Sequence, residues 1–396
     1  MILQGMNLIF AMGKQGNTSA QKKKCKNFCA LYIKGEFLNS PFILEKRYPL
    51  NYNKIETIQK GGDGVATVKD VAKEAGVSVG TVSRYLNGAE IKEQNRIKIE
   101  EAIVKLDFKL NPIARYLKTN RTHTIGVIIP TLADIYATTI VRNLEKTLYD
   151  YGYNIIACDS WGSRELEMEK VQLLADRMVD GLILYPCNED ISYLEAINSR
   201  NIPVVIVDSA VNNYRCDQVL TDNSNAIYEA VRWLVGSNHK RIGIISASEE
   251  LFTSRERVKG YYRALEDYRI EVDRELVKTL GYNVESGYQS MIQFLQMENP
   301  PTAVIASNYY TTIGTMKAIY DLNIAVPEQV SIIGFDNLGL TGIIRPALTI
   351  IVQPMEEIGK EAAELLVRRI RGDYDGFPAV LRLKTELILR NSTAQI

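Results

Sequence analysis

The chain has 396 residues, 46% of them hydrophobic, long enough for two or three domains with a substantial core. Its 47 Lys and Arg balance 47 Asp and Glu, but residues 65–123 carry 11 Lys/Arg against 7 Asp/Glu and residues 1–64 carry 10 against 4, which leaves a net of −10 on the remainder. A basic module on an acidic body points to a nucleic-acid partner for one part only, and no apolar run approaches the length of a membrane span.

Residues 1–64 do not read as part of a fold. QKKKCKNF is a charge run, the aromatics around it keep no sustained period, and MILQGMNLIFAMGKQG lacks the basic segment that precedes a signal peptide's apolar core. Two readings stand. In the favoured one translation starts at Val65, with Lys60-Gly61-Gly62-Asp63-Gly64 encoded by a purine-rich run of ribosome-binding type. In the other the leader is a disordered basic arm that adds non-specific DNA affinity.

Residues 65–110 carry the clearest local signals. Thr67 caps a first helix with Asp70 at capping-box spacing, and Val71, Ala72 and Ala75 give that helix one apolar face. Gly76 suits the left-handed residue that ends it, and Ser78 caps a second helix two residues later. So short a connection forces a sharp angle between the helices, the geometry of a helix-turn-helix. Val82 and Leu86 face inward, which leaves Val79, Gly80, Thr81, Ser83 and Arg84 outward, where a recognition helix meets base edges and phosphates. Residues 111–123 follow as a hinge: Asn111 caps, Pro112 takes the first helical position, and Ile113–Lys118 complete fewer than two turns. A helix so short orders only against a partner hinge and DNA.

VKDVAKEAGVSVGTVSRYLNG followed by NPIARYLK resembles the lactose-repressor/galactose-repressor (LacI/GalR) family of bacterial transcription regulators, and the resemblance extends over the rest of the chain. It implies a two-fold-symmetric dimer on a palindromic double-stranded operator. It adds Thr67, Ser78 and Asn87 to the DNA contacts, with Ala114, Arg115 and Lys118 from the hinge, and makes Leu117 the wedge between base pairs in the minor groove.

From Thr124 onward buried-strand runs (IGVIIP, YNIIACD, GLILYP, IPVVIVD, RIGIISA, TAVIAS, SIIGFD) alternate with helical patterns at 135–151, 164–179, 254–268, 284–297 and 310–322. The expected fold is therefore an all-α helix-turn-helix headpiece with a hinge helix, then an α/β core over 124–396 of two doubly wound parallel-sheet lobes. The resemblance makes that core periplasmic-binding-protein-like, and such sheets bind ligands at the carboxyl ends of their strands.

Residue-by-residue matching to the family implies effector contacts at Asp134, Tyr136, Asp208, Thr253, Arg257, Tyr282, Asn308 and Asp336. Two acceptor-only carboxylates, a forked guanidinium and an amide can grip the hydroxyl edge of a sugar, and an aromatic ring can cover its apolar face. Each has a plainer reading: Asp208 and Asp336 as turn caps, Arg257 as a surface ion pair. Tyr309 stands where the family usually has Asp, and Ala137 where a second aromatic is common.

A sugar or sugar acid is the expected effector, with a nucleobase as runner-up, and a phosphocarrier protein remains an open corepressor. A solute-binding protein is disfavoured by the headpiece. No nucleophile elbow, P-loop, nucleotide-binding glycine fingerprint or histidine-based acid/base set is present, so no enzyme is expected. The cysteines (Cys25, Cys29, Cys158, Cys187, Cys216) show no zinc or disulfide spacing and only His123 and His239 accompany them, so no metal or cofactor is expected and a reducing cytoplasm fits. RLKTELILRNSTAQI carries no heptads, so the expected assembly is a homodimer without a zipper-held tetramer.

Overall fold

A computed structural model describes residues 66–86, 89–108, 121–336 and 344–396. They divide into two units, one ending at Phe108 and the other beginning at Lys109. The leader, Asn87 and the hinge positions Asn111, Pro112, Ala114, Arg115, Leu117 and Lys118 lie outside the described residues.

The first unit holds α1 (Val68–Ala75), α2 (Val79–Leu86) and α3 (Glu93–Lys105). Thr67 and Asp70 form the expected capping box, the Asp70 carboxylate accepting the Thr67 N–H at 2.8 Å. Gly76 sits at φ 64°, where a Cβ would be strained, and Ser78 Oγ accepts the Thr81 N–H at 3.1 Å. These two caps set the tight turn. Val71, Val82 and Ile99, one from each helix, are fully buried and form the centre of a small core with Ala72, Ala75 and Ala102.

The second unit contains two six-stranded sheets. Its elements are β1 (Thr124–Ile129), α4 (Ile135–Asp150), β2 (Asn154–Asp159), α5 (Arg164–Asp176), β3 (Gly181–Leu184), β4 (Val204–Val207), β5 (Asp217–Thr221) and α6 (Asn223–Gly236). There follow β6 (Ile242–Ile245), α7 (Phe252–Asp267), β7 (Val277–Lys278), α8 (Val284–Leu295), β8 (Ala303–Ala306), α9 (Tyr309–Asp321), β9 (Ser331–Phe335), β10 (Thr349–Val352), α10 (Met355–Ile370), β11 (Val380–Leu383) and β12 (Glu386–Ile388). The first sheet runs β11-β5-β4-β3-β1-β2 and is parallel throughout. The second runs β12-β10-β9-β8-β6-β7 and is parallel except for β12.

The central strands of both sheets are buried on both faces, which is why their sequences read as unbroken apolar runs. Helices cover each sheet on both sides, giving two doubly wound lobes. The chain passes between the lobes three times: after β5 into α6, after β10 into α10, and between β11 and β12. Helix α6 packs with α7 in the second lobe and α10 with α4 in the first, so each lobe borrows a helix through a crossover. Close helix packing depends on glycine: a Cβ on Gly314 of α9 would lie 2.0 Å from the Val284 carbonyl oxygen of α8.

All seven strand runs read from the sequence are strands here, and the five helical patterns are helices. That reading did not identify β5, β7, β10, β11, β12, α6 or α10. β7 is two residues long and β12 three, too short for a period, and β11 alternates exposed and half-buried positions as an edge strand does.

Candidate functional site

On the first unit, α2 turns Val82 into the core and leaves Val79 46% exposed, with Gly80 and Arg84 also exposed and Thr81 and Ser83 half-buried. Arg84 reaches the Glu90 carbonyl oxygen at 3.3 Å, and Tyr85 O–H donates to Glu100 at 3.0 Å, which ties α2 to α3. Thr67 and Ser78 both serve as caps, so their hydroxyls already work within the fold. Val79 and Gly80 themselves supply no long polar side chain. The face offers methyl groups, a closely approachable backbone and one guanidinium, suited to apolar contact with thymine methyls and to backbone or phosphate contact.

In the second unit the two lobes present matched aspartates. Asp208 follows β4 and Asp336 follows β9, both at φ 67°, and each N–H bonds the next strand, to the Val219 carbonyl at 3.0 Å and the Ile351 carbonyl at 2.8 Å. A left-handed conformation is uncommon outside glycine and gathers at functional positions. Here it turns a carboxylate off the end of the same strand position in each lobe.

Asp208 is buried and held by two phenols: Tyr136 O–H donates to Oδ1 at 2.9 Å and Tyr185 O–H donates to Oδ2. Their rings meet edge to face at 6.4 Å. Burial raises the Asp208 carboxyl above the usual range, opposed by the Tyr185 hydrogen bond and by Arg257. The same burial, with Asp208 beside them, pushes both tyrosine hydroxyls well up and keeps them neutral. Across the cleft Gln353 Nε2 donates to Asp336 at 2.8 Å, and burial lifts that carboxyl to about 6 against the pull of Arg257 and Gln353.

Arg257, on α7, is 4% exposed and stands within electrostatic reach of both aspartates. Nε donates to Asn223 Oδ1 at 2.7 Å, one terminal nitrogen donates to the Ser307 carbonyl at 2.5 Å, and the guanidinium lies 4.1 Å from the Phe335 ring centroid. Burial opposes its charge, while Tyr282, Asp336 and Asp208 more than offset that and keep it ionised. Tyr282 O–H lies 3.5 Å from Arg257 and 3.3 Å from Ser246 Oγ.

A cavity of about 290 Å³ opens beside this group, lined among others by Tyr185, Asp208, Thr253 and Tyr282. The lobes also touch directly: Arg255 of α7 pairs with Glu189, on the cavity wall after β3, and Tyr310 O–H donates to the Ala133 carbonyl at 3.3 Å. Two candidates have local roles. Asp134 caps α4 by accepting the Tyr136 N–H at 2.8 Å, and Asn308 caps α9 by accepting the Thr311 N–H at 2.8 Å. Sequence reasoning missed Tyr185, Gln353 and Asn223. Tyr185 ends GLILYP, so the strand-end rule that selected Asp208 would have found it. Gln353 ends a strand the sequence reading did not identify, and Asn223 opens an unidentified helix.

Residues 67–111 match the profile of bacterial regulatory proteins of the lacI family, and residues 231–393 match the periplasmic binding protein-like domain. The chain is 31% identical over 331 residues to the HTH-type transcriptional repressor PurR of Vibrio atlanticus, covering 83% of this chain and 98% of that protein. It is 34% identical over 340 residues to the HTH-type transcriptional repressor CytR of Escherichia coli K12, covering 84% and 98%. This chain belongs to the LacI family. Among solved structures, a CelR–cellobiose complex aligns with a TM-score of 0.64 at 27% identity over 83% of this chain and 99% of that one. The lac repressor dimer bound to operator and the anti-inducer ONPF aligns with a TM-score of 0.73 at 24% identity over 84% and 100%, which establishes the shared fold. LacI-family membership makes the chain a DNA-binding transcriptional regulator, and its curated relatives are repressors, not enzymes. Among the described residues no helix is long and apolar enough to cross a membrane.

Proposed function

We propose that the chain is a homodimeric repressor whose operator affinity is set by a carbohydrate held between the lobes of its core. The observation that carries this reading is the pair Asp208 and Asp336, one from each lobe, converging electrostatically on a single buried Arg257. Carboxylates on opposite walls accept hydroxyl protons from two sides of one small molecule, so such a molecule binds the closed arrangement better than an open one. That difference in affinity is what lets a ligand shift the equilibrium between arrangements and, through it, DNA binding. The related structure holding cellobiose supports a carbohydrate class. Screening neutral sugars and sugar derivatives by thermal shift, with operator binding read in parallel, tests the reading. A ligand that stabilises the chain and changes operator affinity supports it; a ligand that stabilises the chain and leaves operator affinity unchanged contradicts it.

Affinity should also depend on pH. A sugar hydroxyl donates best to ionised Asp336, whose carboxyl titrates at about 6. Binding is therefore expected to be full above that value and to weaken as pH falls through it. The sign for stability runs the other way. A carboxyl raised above its ordinary value binds more protons folded than unfolded, so the unliganded chain loses stability as pH rises from about 4 to about 6. Isothermal titration across this range checks the first, and Asp336→Asn should flatten both profiles.

A further inference from the structure

The charge and hydrogen-bonding inventory of the cleft narrows the ligand class, and this narrowing rests on the cleft being the effector site. Among the described residues, those lining the cavity include Asp208, Glu189 and Glu250, and no lysine, arginine or histidine. Asp134 and Asp336 both act electrostatically on Asp208 or are acted on by it. Glu189 is neutralised by Arg255. Asp208 and Glu250 then remain on the cavity wall, with Asp336 and the α4 cap Asp134 within electrostatic reach of Asp208, and the guanidinium of Arg257 opposes them. That guanidinium is already engaged by Asn223, the Ser307 carbonyl and the Phe335 ring.

The hydrogen-bonding groups point the same way. Tyr136 and Tyr185 give their hydroxyl protons to Asp208, which leaves the phenol oxygen of Tyr185, on the cavity wall, as an acceptor. Gln353 gives an amide proton to Asp336, and its buried carbonyl oxygen has no hydrogen-bond partner among the described residues.

We propose that this cleft selects a ligand rich in O–H and N–H donors and free of negative charge, taking an amino sugar ahead of the plain sugar and rejecting sugar acids and sugar phosphates. An ammonium group adds donors and a charge opposite to that of the walls. A carboxylate or phosphate brings a like charge within a few ångströms of Asp208 in a partly desolvated site, where repulsion is screened far less than in water.

The test uses the full chain and matched probes. Glucose, galactose and mannose, their amino sugars, uronic acids and phosphates, and then cytidine and adenosine with their monophosphates, are titrated by calorimetry at neutral pH. In whichever series binds, the acid and phosphate are expected to be weaker than the neutral compound by about tenfold or more, and the amine to be tighter. Glu250→Gln, at the exposed rim, is expected to narrow that gap. An acid or phosphate that binds as well as its neutral parent overturns the charge rule and leaves the carbohydrate reading standing. A nucleoside that binds while its monophosphate is excluded and every sugar fails keeps the charge rule and overturns the carbohydrate reading. No binding by any probe overturns both.

Discussion

Arg257→Ala is expected to abolish the response of operator binding to ligand. The side chain is 4% exposed and links α6, through Asn223, to the end of β8, through the Ser307 carbonyl, beneath the Phe335 ring. Its charge opposes the burial of Asp208 and Asp336 together. Without it both carboxylates become harder to ionise and accept ligand hydroxyls less well, while the Ser307 carbonyl loses its donor. Losing charge-assisted contacts of this kind corresponds to about 3 kcal/mol or more, a hundredfold or greater fall in ligand affinity. DNA binding without ligand should stay near its original level, because α2 and the capping residues around it belong to the other unit. Arg257→Lys keeps the charge but not the fork and should recover only part of the affinity. Calorimetry alongside operator titration reads both quantities; an unchanged ligand affinity in Arg257→Ala would remove this residue from the site.

The second large effect concerns stability. Arg369 and Asp217 form an ion pair that is almost wholly buried, Nε to Oδ2 at 2.7 Å and a terminal nitrogen to Oδ1 at 3.2 Å. Both partners are hydrogen-bonded further. Arg369 donates to the Asp373 and Asp375 carbonyls at 2.8 and 3.2 Å, and Asp217 accepts the Ala379 N–H at 2.7 Å. The pair thus ties the end of α10 to the start of β5 and to the loop entering β11. Arg369→Ala leaves Asp217 buried without a counter-charge, and about 3–5 kcal/mol should be lost. The exposed pair Arg200–Asp176 contributes far less by comparison, because water screens it. Urea unfolding of Arg369→Ala and Arg200→Ala separates these cases: equal midpoints would contradict the buried-pair assignment.

How much of this was legible depended on whether a residue's role was local or came from distant parts of the chain. Thr67, Gly76 and Ser78 announce the helix-turn-helix because caps and turns act over three or four residues. The apolar strands of each lobe were equally plain, since burial on both faces leaves an unbroken run. Asp208, Arg257 and Asp336 were singled out because strand ends and family resemblance marked them, and the structure brings the three within electrostatic reach of one another. Asn308 and Asp134 illustrate the limit: their capping bonds to Thr311 and Tyr136 fit the plainer reading, whether or not they also touch a ligand. Gln353 and Arg369 were missed for one reason. Both sit at the crossovers and edges where the lobes exchange elements, and nothing in a local window says that α10 belongs with β5 in one lobe while β10 belongs with β9 in the other.

The proposed repressor reads DNA sequence-specifically through a symmetric pair of headpieces. Selection of bound sequences from random double-stranded DNA by the full chain tests it most directly. The expected product is an inverted repeat with half-sites about one helical turn apart. A pool that enriches no sequence, or a single unrepeated site, would contradict it.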